Sequence, residues 1–282
     1  MLNADEYRED ALRRWESAAA GWEKRRPVFQ RAAQPVSMAM IDLLGPQPGQ
    51  TVVELAAGPA DTGLLIAELV QPGGRVIITD AAEAMVEAAE RRAEELGITN
   101  VEARPMDAEW IDLDAASVDG VVARWGYMLL ADPESALRDT RRVLKQGGKV
   151  VLAAWHDPDA NPWLSAIAKE MLERGHADHS PPGEPGPFAF SEPGTIERLL
   201  ESAGFDEIVV DTVDFSFSFE STDAHWDHQL DLSTRLRDQV KGLSPAEHTA
   251  LRDGIDARLA DHRQADGSVE LPARTWVAAG TA

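Results

Sequence analysis

Two short apolar runs separated by a helical repeat organise the chain. Thr51–Leu55 is β-branched and apolar, the pattern of a buried strand. Ala56–Gly63 is a loop of small residues, and Leu64–Val70 has helical spacing, with Asp61 or Thr62 placed to cap its start. Gly73–Gly74 predicts a turn, and Arg75–Thr79 a second buried strand that closes on Asp80. Strand, small-residue loop, helix, strand and acid make a nucleotide-binding βαβ unit. The alternation then continues. Residues 82–96 predict a helix stopped by Gly97, 100–106 a third strand, and 117–123 a fourth ending at Arg124. Residues 133–144 predict a helix, 145–149 a turn and 150–155 a fifth strand. Upstream, residues 4–26 read as an amphipathic helix with Trp15 and Trp22 on one face; Pro27 interrupts it, and 34–44 form a second helix.

Beyond the fifth strand the pattern loosens. A helix is expected near 163–174, and the proline and glycine density from roughly 180 to 187 bars regular structure. Ser191-Glu192-Pro193 is placed to cap a helix over 193–203, and 208–219 reads as a sixth strand, alternating near its end as DFSFSF. Residues 222–264 return to helical pattern. DAHWDHQLDLSTRLRDQV reads as one helix, and Ser244-Pro245-Ala246-Glu247 opens another with capping-box spacing. Residues 268–279 form a last strand.

The loop after the first strand decides which nucleotide fits. Asp80 follows Gly58 by 22 residues, close to the spacing at which an acid ending a second strand meets a ribose. A dinucleotide also needs a pyrophosphate cradle of glycines and free N–H groups. Here Ala56 and Ala60 replace glycines, Pro59 has no N–H, and Asp61 sets a negative charge where a pyrophosphate would sit. These features disfavour a nicotinamide oxidoreductase. A nucleoside with a zwitterionic amino-acid tail, S-adenosylmethionine (SAM), avoids all three objections. The segment resembles motif I of the class I SAM-dependent methyltransferases, in the branch of the ubiquinone/menaquinone C-methyltransferases. Glu54, Ala56, Gly58 and Ala60 take the positions of its acid-x-G/A-x-G-x-G pattern, and the two alanines are expected to set the loop slightly further from the ligand. RVLKQGGKVVLAAW and the Ala203-Gly204-Phe205 turn carry further resemblance.

The resemblance implies an α/β, Rossmann-like, seven-stranded mixed sheet with helices on both faces and helical lid insertions, its seventh strand antiparallel beside the fifth. The expected layout is a helical arm over the pocket at 1–45, the SAM-binding core at 46–155, a lid at 156–190, the core again at 191–221, a helical insertion at 222–264 and a final core strand at 265–282. The arm would cover the pocket with Tyr7, Trp15 and Trp22. Cofactor contacts are expected from Glu54, Ala56 and Gly58 in the loop, from Asp80 and Ala81, from Met85 against the adenine, and from Asp107 and Ala108 after the third strand. Arg124, at the carboxyl end of the fourth strand, is placed to bind the methionyl carboxylate or to order the pocket. Val118-Asp119 resembles the family's apolar-acid pair on that strand.

The implied chemistry is an in-line SN2 displacement at a sulfonium methyl, leaving S-adenosylhomocysteine. It demands alignment first and a base only when the nucleophile keeps its proton. His156, after the fifth strand, and then Tyr127 are the candidate bases; Trp22, Trp125 and Trp155 are candidates to hold the donor or an apolar acceptor. The acceptor is a small, apolar or aromatic metabolite, methylated at O, N or C. A SAM-binding protein without transfer activity is the alternative.

Composition narrows the partners. The chain has 282 residues and a formal charge of -22, from 49 acids against 27 bases, which argues against nucleic acid. There are no cysteines, so thiolate metal sites and a cysteine nucleophile are excluded. His156, His176 and His179 match no compact metal motif, and no metal is expected. Neither a signal-peptide pattern nor an apolar run long enough to span a membrane is present, so a cytoplasmic protein is expected; a homodimer stays open.

Overall fold

The apolar runs become the centre of one sheet. The computed structural model describes residues 3–178 and 183–282. His179 and residues 180–182 of the proline-rich stretch lie outside the described residues. Among these, seven strands pair: β1 (Thr51–Glu54), β2 (Arg75–Asp80), β3 (Val101–Pro105), β4 (Val118–Arg124), β5 (Leu144–Trp155), β6 (Asp206–Phe219) and β7 (Val269–Thr281). Their order is β3-β2-β1-β4-β5-β7-β6, parallel through β5, with β7 antiparallel to both β5 and β6. This is the expected mixed sheet. Val52, Val53, Val76, Val121, Val122, Val150 and Val151 are fully buried, as strands covered on both faces require.

The first helix is the main departure from the sequence reading. Pro27 does not interrupt it: α1 runs unbroken over Ala4–Leu44, with Pro27 and Pro35 both inside. A helix-interior proline costs about 3 kcal/mol through its missing N–H and its ring clash. Packing offsets that cost. Phe29, Ala33, Val36, Met40 and Leu44 recur at helical spacing and are buried, and Trp22 lies edge-on to Phe29 at 4.9 Å, bridging the proline. The ends are well made. Asn3 and Glu6 form a capping box, and Gly45 closes the helix in the left-handed conformation.

The remaining helices are α2 (Asp61–Leu69), α3 (Glu83–Leu96), α4 (Pro133–Val143), α5 (Pro162–Glu173), α6 (Thr195–Ser202), α7 (Thr222–Leu232), α8 (Thr234–Lys241) and α9 (Pro245–Arg258). Three local expectations change. The predicted single helix over 223–240 breaks at Ser233, which is extended and whose hydroxyl caps α8. The Lys145–Lys149 turn is absorbed into β5 as a register shift between Val118–Leu144 and Gly120–Lys149. α6 starts after Gly194 in left-handed conformation, without the predicted side-chain cap. The capping box at Ser244 and Glu247 forms as read. No helix among the described residues is long and apolar enough to cross a membrane.

Strand alternation splits the aromatic residues between the faces. Trp155 of β5 and Phe215 and Phe217 of β6 share one face with Phe29 of α1 and Trp163 of α5. Trp276 of β7 stands on the other, beside Ile196 and Glu197 of α6.

Candidate cofactor site

The loop after β1 is a run of left-handed turns. Ala56, Gly58 and Ala60 have φ of 48°, 53° and 59°. This conformation costs an L-residue with a Cβ roughly 1–2 kcal/mol and glycine almost nothing. The two alanines therefore adopt the backbone that the motif's glycines would, and the departure from the pattern is absorbed as strain. Neither Asp61 nor Thr62 caps α2: Ala60 is its N-cap, with no side-chain bond. Both side chains turn elsewhere. Thr62 shares a 2.9 Å hydrogen bond with Ser37 of α1, and Asp61 pairs with Arg26 at 3.4 Å and Arg124 at 3.3 Å.

Carboxylates gather around this loop. Asp80 accepts from the Gly58 N–H at 2.9 Å and from the Ala82 N–H at 3.0 Å, tying the end of β2 to the loop. Burial raises its pKa, and those two N–H groups oppose the rise. Glu54, 2% exposed, accepts from the Gly63 N–H at 2.8 Å. A Cβ at position 63 would lie 2.3 Å from that carboxylate, so any larger residue there would push the Glu54 side chain aside. Burial pushes the Glu54 carboxyl up to about 8, against the pull of Arg124. Arg124 also donates to Ser37 at 2.9 Å and sits over the Trp125 ring at 5.0 Å.

Trp125 is an outlier. Its φ is 64°, which a bulky side chain rarely adopts. Three contacts hold it: its indole N–H donates to Thr275 at 2.9 Å, its ring stacks on Trp155 at 4.2 Å, and Phe29 meets it edge-on at 5.4 Å. Strain of this kind collects at functional sites.

Helix α1 lies across this region. Tyr7 donates to the Leu129 carbonyl at 2.9 Å, and Arg8 pairs with Glu109 at 2.5 Å. Glu16 accepts from the N–H groups of Glu83 and Ala84 at 2.6 and 3.2 Å, capping α3 from outside, which its N-cap Ala82 cannot do. Trp15, Ala19 and Trp22 cover Met85, which is 2% exposed. Sequence reading missed Glu16, Ser37, Phe29 and Glu109. Nothing local marks them, since each acts on a partner distant in the chain.

The remaining candidates scatter. Ala81 is exposed in the turn after β2; Asp107 is exposed and accepts from the Glu109 N–H at 2.8 Å; Ala108 is buried. Asp119 accepts from the Thr51 N–H at 2.8 Å and pairs with Lys145, which gives it a role in joining strands. The two candidate bases do not converge on the loop. Tyr127 is 2% exposed, its hydroxyl bonded to Thr140 at 2.6 Å, and burial raises its pKa; it is a core residue in this structure. His156 follows Trp155, so alternation turns it to the opposite face, where its ring lies 4.3 Å from Trp276. Burial and then Arg274 lower its pKa. A groove of about 540 Å³ lies apart from the loop, lined by Trp110, Ser135, Arg138 and Arg142.

Residues 36–168 match the family model described as the ubiE/COQ5 methyltransferase family. Nocamycin O-methyltransferase of Saccharothrix syringae is 29% identical over 186 residues, covering 62% of this chain and 66% of that protein. The ubiquinone/menaquinone biosynthesis C-methyltransferase UbiE of Enterobacter sp. (strain 638) is 31% identical over 127 residues, covering 45% and 51%. The chain thus spans less than two thirds of either relative. Among solved structures, the YcgJ protein of Bacillus subtilis shares the fold, with a TM-score of 0.57 at 18% identity over 87% of this chain and 97% of that one. Residues 36–168, just under half of the chain, are thus similar to the ubiE/COQ5 methyltransferase family, and the seven-stranded mixed sheet is the Rossmann-like fold that the chain shares with YcgJ.

Proposed function

We propose that the protein binds SAM between the tips of β1, β2 and β3 and moves its methyl group to O, N or C of a small apolar or aromatic acceptor. The observation that carries this reading is the acid-rich set at the loop. Asp61 and Asp80 lie close enough to push the Glu54 carboxyl up, and Arg124 and Arg26 stand against Asp61. An amino-acid ammonium fits this set, and a pyrophosphate would be repelled by it. When bound, SAM supplies an activated methyl on a sulfonium sulfur. The chain's own work is positioning. Asp80 has lone pairs left for ribose hydroxyls, Glu54 and Arg124 are placed for the two charges of the amino-acid end, and Met85, Asp107 and Ala108 flank the adenine side. A small-molecule acceptor, a cytoplasmic setting and no nucleic acid belong to the same reading.

Thermal shifts with SAM, S-adenosylhomocysteine and NADH test the cofactor: the first two should stabilise the protein and NADH should not. Turnover of tritiated SAM with candidate acceptors tests transfer. A second reading, SAM binding without transfer, is supported by the positions of His156 and Tyr127, neither of which converges on the loop. Stabilisation by SAM with no turnover across acceptors of all three nucleophile types would favour it.

A further inference from the structure

The groove beside Trp110 runs between the β3–β4 connection and α4. One wall is Glu109, Trp110 and Ile111. The other is Ser135, Arg138, Asp139 and Arg142, which recur at helical spacing along one face of α4. Its volume of about 540 Å³ lies within the range of small-molecule sites.

Three of the charged groups in these walls are engaged by the chain itself. Asp139 accepts from the Ile111 N–H at 2.8 Å and from Arg142 Nε at 2.5 Å. Arg142 donates its other two nitrogens to the Ile111 and Leu113 carbonyls, both at 2.7 Å. Glu109 accepts from the Ala131 and Asp132 N–H groups at 2.8 and 3.1 Å and pairs with Arg8. Loop and helix are thereby clamped together, and the groove between them has a fixed frame.

Two larger side chains are left over. Trp110 is 80% exposed, whereas none of the other seven tryptophans is exposed. An indole held in water on a fixed frame is an unused apolar face. Arg138 has one ionic partner among the described residues, Glu134 at 3.5 Å, and both side chains are more than half exposed. An exposed pair of this kind contributes little, so the guanidinium can exchange its partner. Ser135, one turn before Arg138 on the same face, adds a hydroxyl. A flat aromatic face, a planar cation with free donors and a hydroxyl complement an aromatic ring that bears a carboxylate. A cationic ligand finds no such counterpart, because Glu109 and Asp139 are already bonded.

We propose that this groove is a second binding site, for a planar aromatic carboxylate whose ring lies on Trp110 and whose carboxylate takes Arg138 from Glu134. Its residues belong to other segments than the loop after β1, so the occupant and the cofactor bind without competing. The site does not depend on the transferase reading.

The probes are 2-naphthoate and its neutral isostere 2-naphthamide, in equilibrium dialysis against the full chain. Wild type should bind 2-naphthoate about fivefold more tightly, the scale of one exposed ion pair. Arg138→Gln should erase that preference and leave 2-naphthamide binding unchanged. Glu134→Gln, which removes the competing carboxylate, should strengthen 2-naphthoate alone. Trp110→Ala should weaken both probes at least about fivefold, and Trp110→Phe, which keeps a ring, should retain most of the binding. In a nitrogen-15 correlation NMR spectrum, the indole N–H signal missing from Trp110→Phe should be the one that moves most when 2-naphthoate is added to wild type. That readout decides the location even should Trp110→Ala fail to fold. Saturating S-adenosylhomocysteine should leave probe binding unchanged. Absence of saturable 2-naphthoate binding, equal affinity for the two probes, or binding undiminished in Trp110→Ala overturns the proposal. So does displacement by S-adenosylhomocysteine, which would put the probe in the cofactor site.

Discussion

Arg124 Nη2 lies 3.3 Å from Asp61 Oδ2, and both side chains are under 10% exposed. This pair joins the carboxyl tip of β4 to the first residue of α2, across the mouth of the loop. Arg26 of α1 reaches the other carboxylate oxygen at 3.4 Å. Removing one partner of such a pair strands a buried charge, at a cost of about 3–5 kcal/mol. Arg26 still holds one oxygen of Asp61 in Arg124→Ala, so unfolding stability should fall by less than that, read by urea titration. Asp61→Asn added to it should recover part of the loss, because it removes the half-paired charge.

Asp80 ties the loop to β2 through Gly58 and Ala82 and is assigned to the ribose. Asp80→Ala should weaken SAM binding by roughly 1–3 kcal/mol, the range for hydrogen bonds to a charged group. Calorimetric titration with SAM and S-adenosylhomocysteine should show the same loss for both, since the ribose is common to them. Unchanged affinity would remove Asp80 from the site.

Much of this was legible in the sequence, for definite reasons. The strands through β5 are continuous apolar runs whose burial on both faces leaves little ambiguity, and the turns at Gly73 and Gly97 carry their own signal. The acid-x-Ala-x-Gly-x-Ala spacing marked the loop because its backbone needs left-handed residues at alternate positions. What the sequence hid was long-range. Pro27 reads as a break until Trp22 and Phe29 are seen packed across it. Asp61 reads as a cap until Arg124, distant in the chain, is seen to claim it. His156 reads as facing the site until strand alternation is counted from Trp155.

Glu54 makes stability depend on pH. A free glutamate ionises near 4.5, whereas burial keeps this one protonated up to about 8 in the fold. The folded chain thus holds a proton that the unfolded chain releases across this window. The contribution of Glu54 to stability is full below pH 4.5, falls as pH rises towards 8, and levels off beyond it. Glu54→Gln should flatten that decline; thermal unfolding of both proteins at intervals from pH 5 to 8 gives the difference. Bound SAM should also narrow it, if its ammonium holds the carboxylate ionised.

Glu16 fastens the arm to α3 by accepting from Glu83 and Ala84. A carboxylate on free N–H groups at a helix start contributes about 0.5–2 kcal/mol, as a cap does. Glu16→Ala should raise amide exchange at Glu83 and Ala84 and over the first half of α1. Exchange at 29–44, where the helix is buried on the sheet, should stay unchanged. Uniform acceleration along α1 would show that the arm is not held separately at this point.

Pro27 offers the reverse test, a gain in stability. Its missing N–H leaves the Glu23 carbonyl without its helical donor, and its ring crowds the preceding turn. Alanine restores both at a nominal gain of about 3 kcal/mol. The proline also stiffens the unfolded chain, which returns about 0.4–1 kcal/mol to the wild type. Packing by Trp22 and Phe29 already holds the backbone helical, so the substitution need not move either ring. Pro27→Ala should therefore raise stability by about 2 kcal/mol in urea titration, with an unchanged slope. If α1 must bend at this proline to admit the cofactor, the same variant will slow SAM association in stopped-flow tryptophan fluorescence; if the helix acts as one rod, association will keep its rate while stability rises.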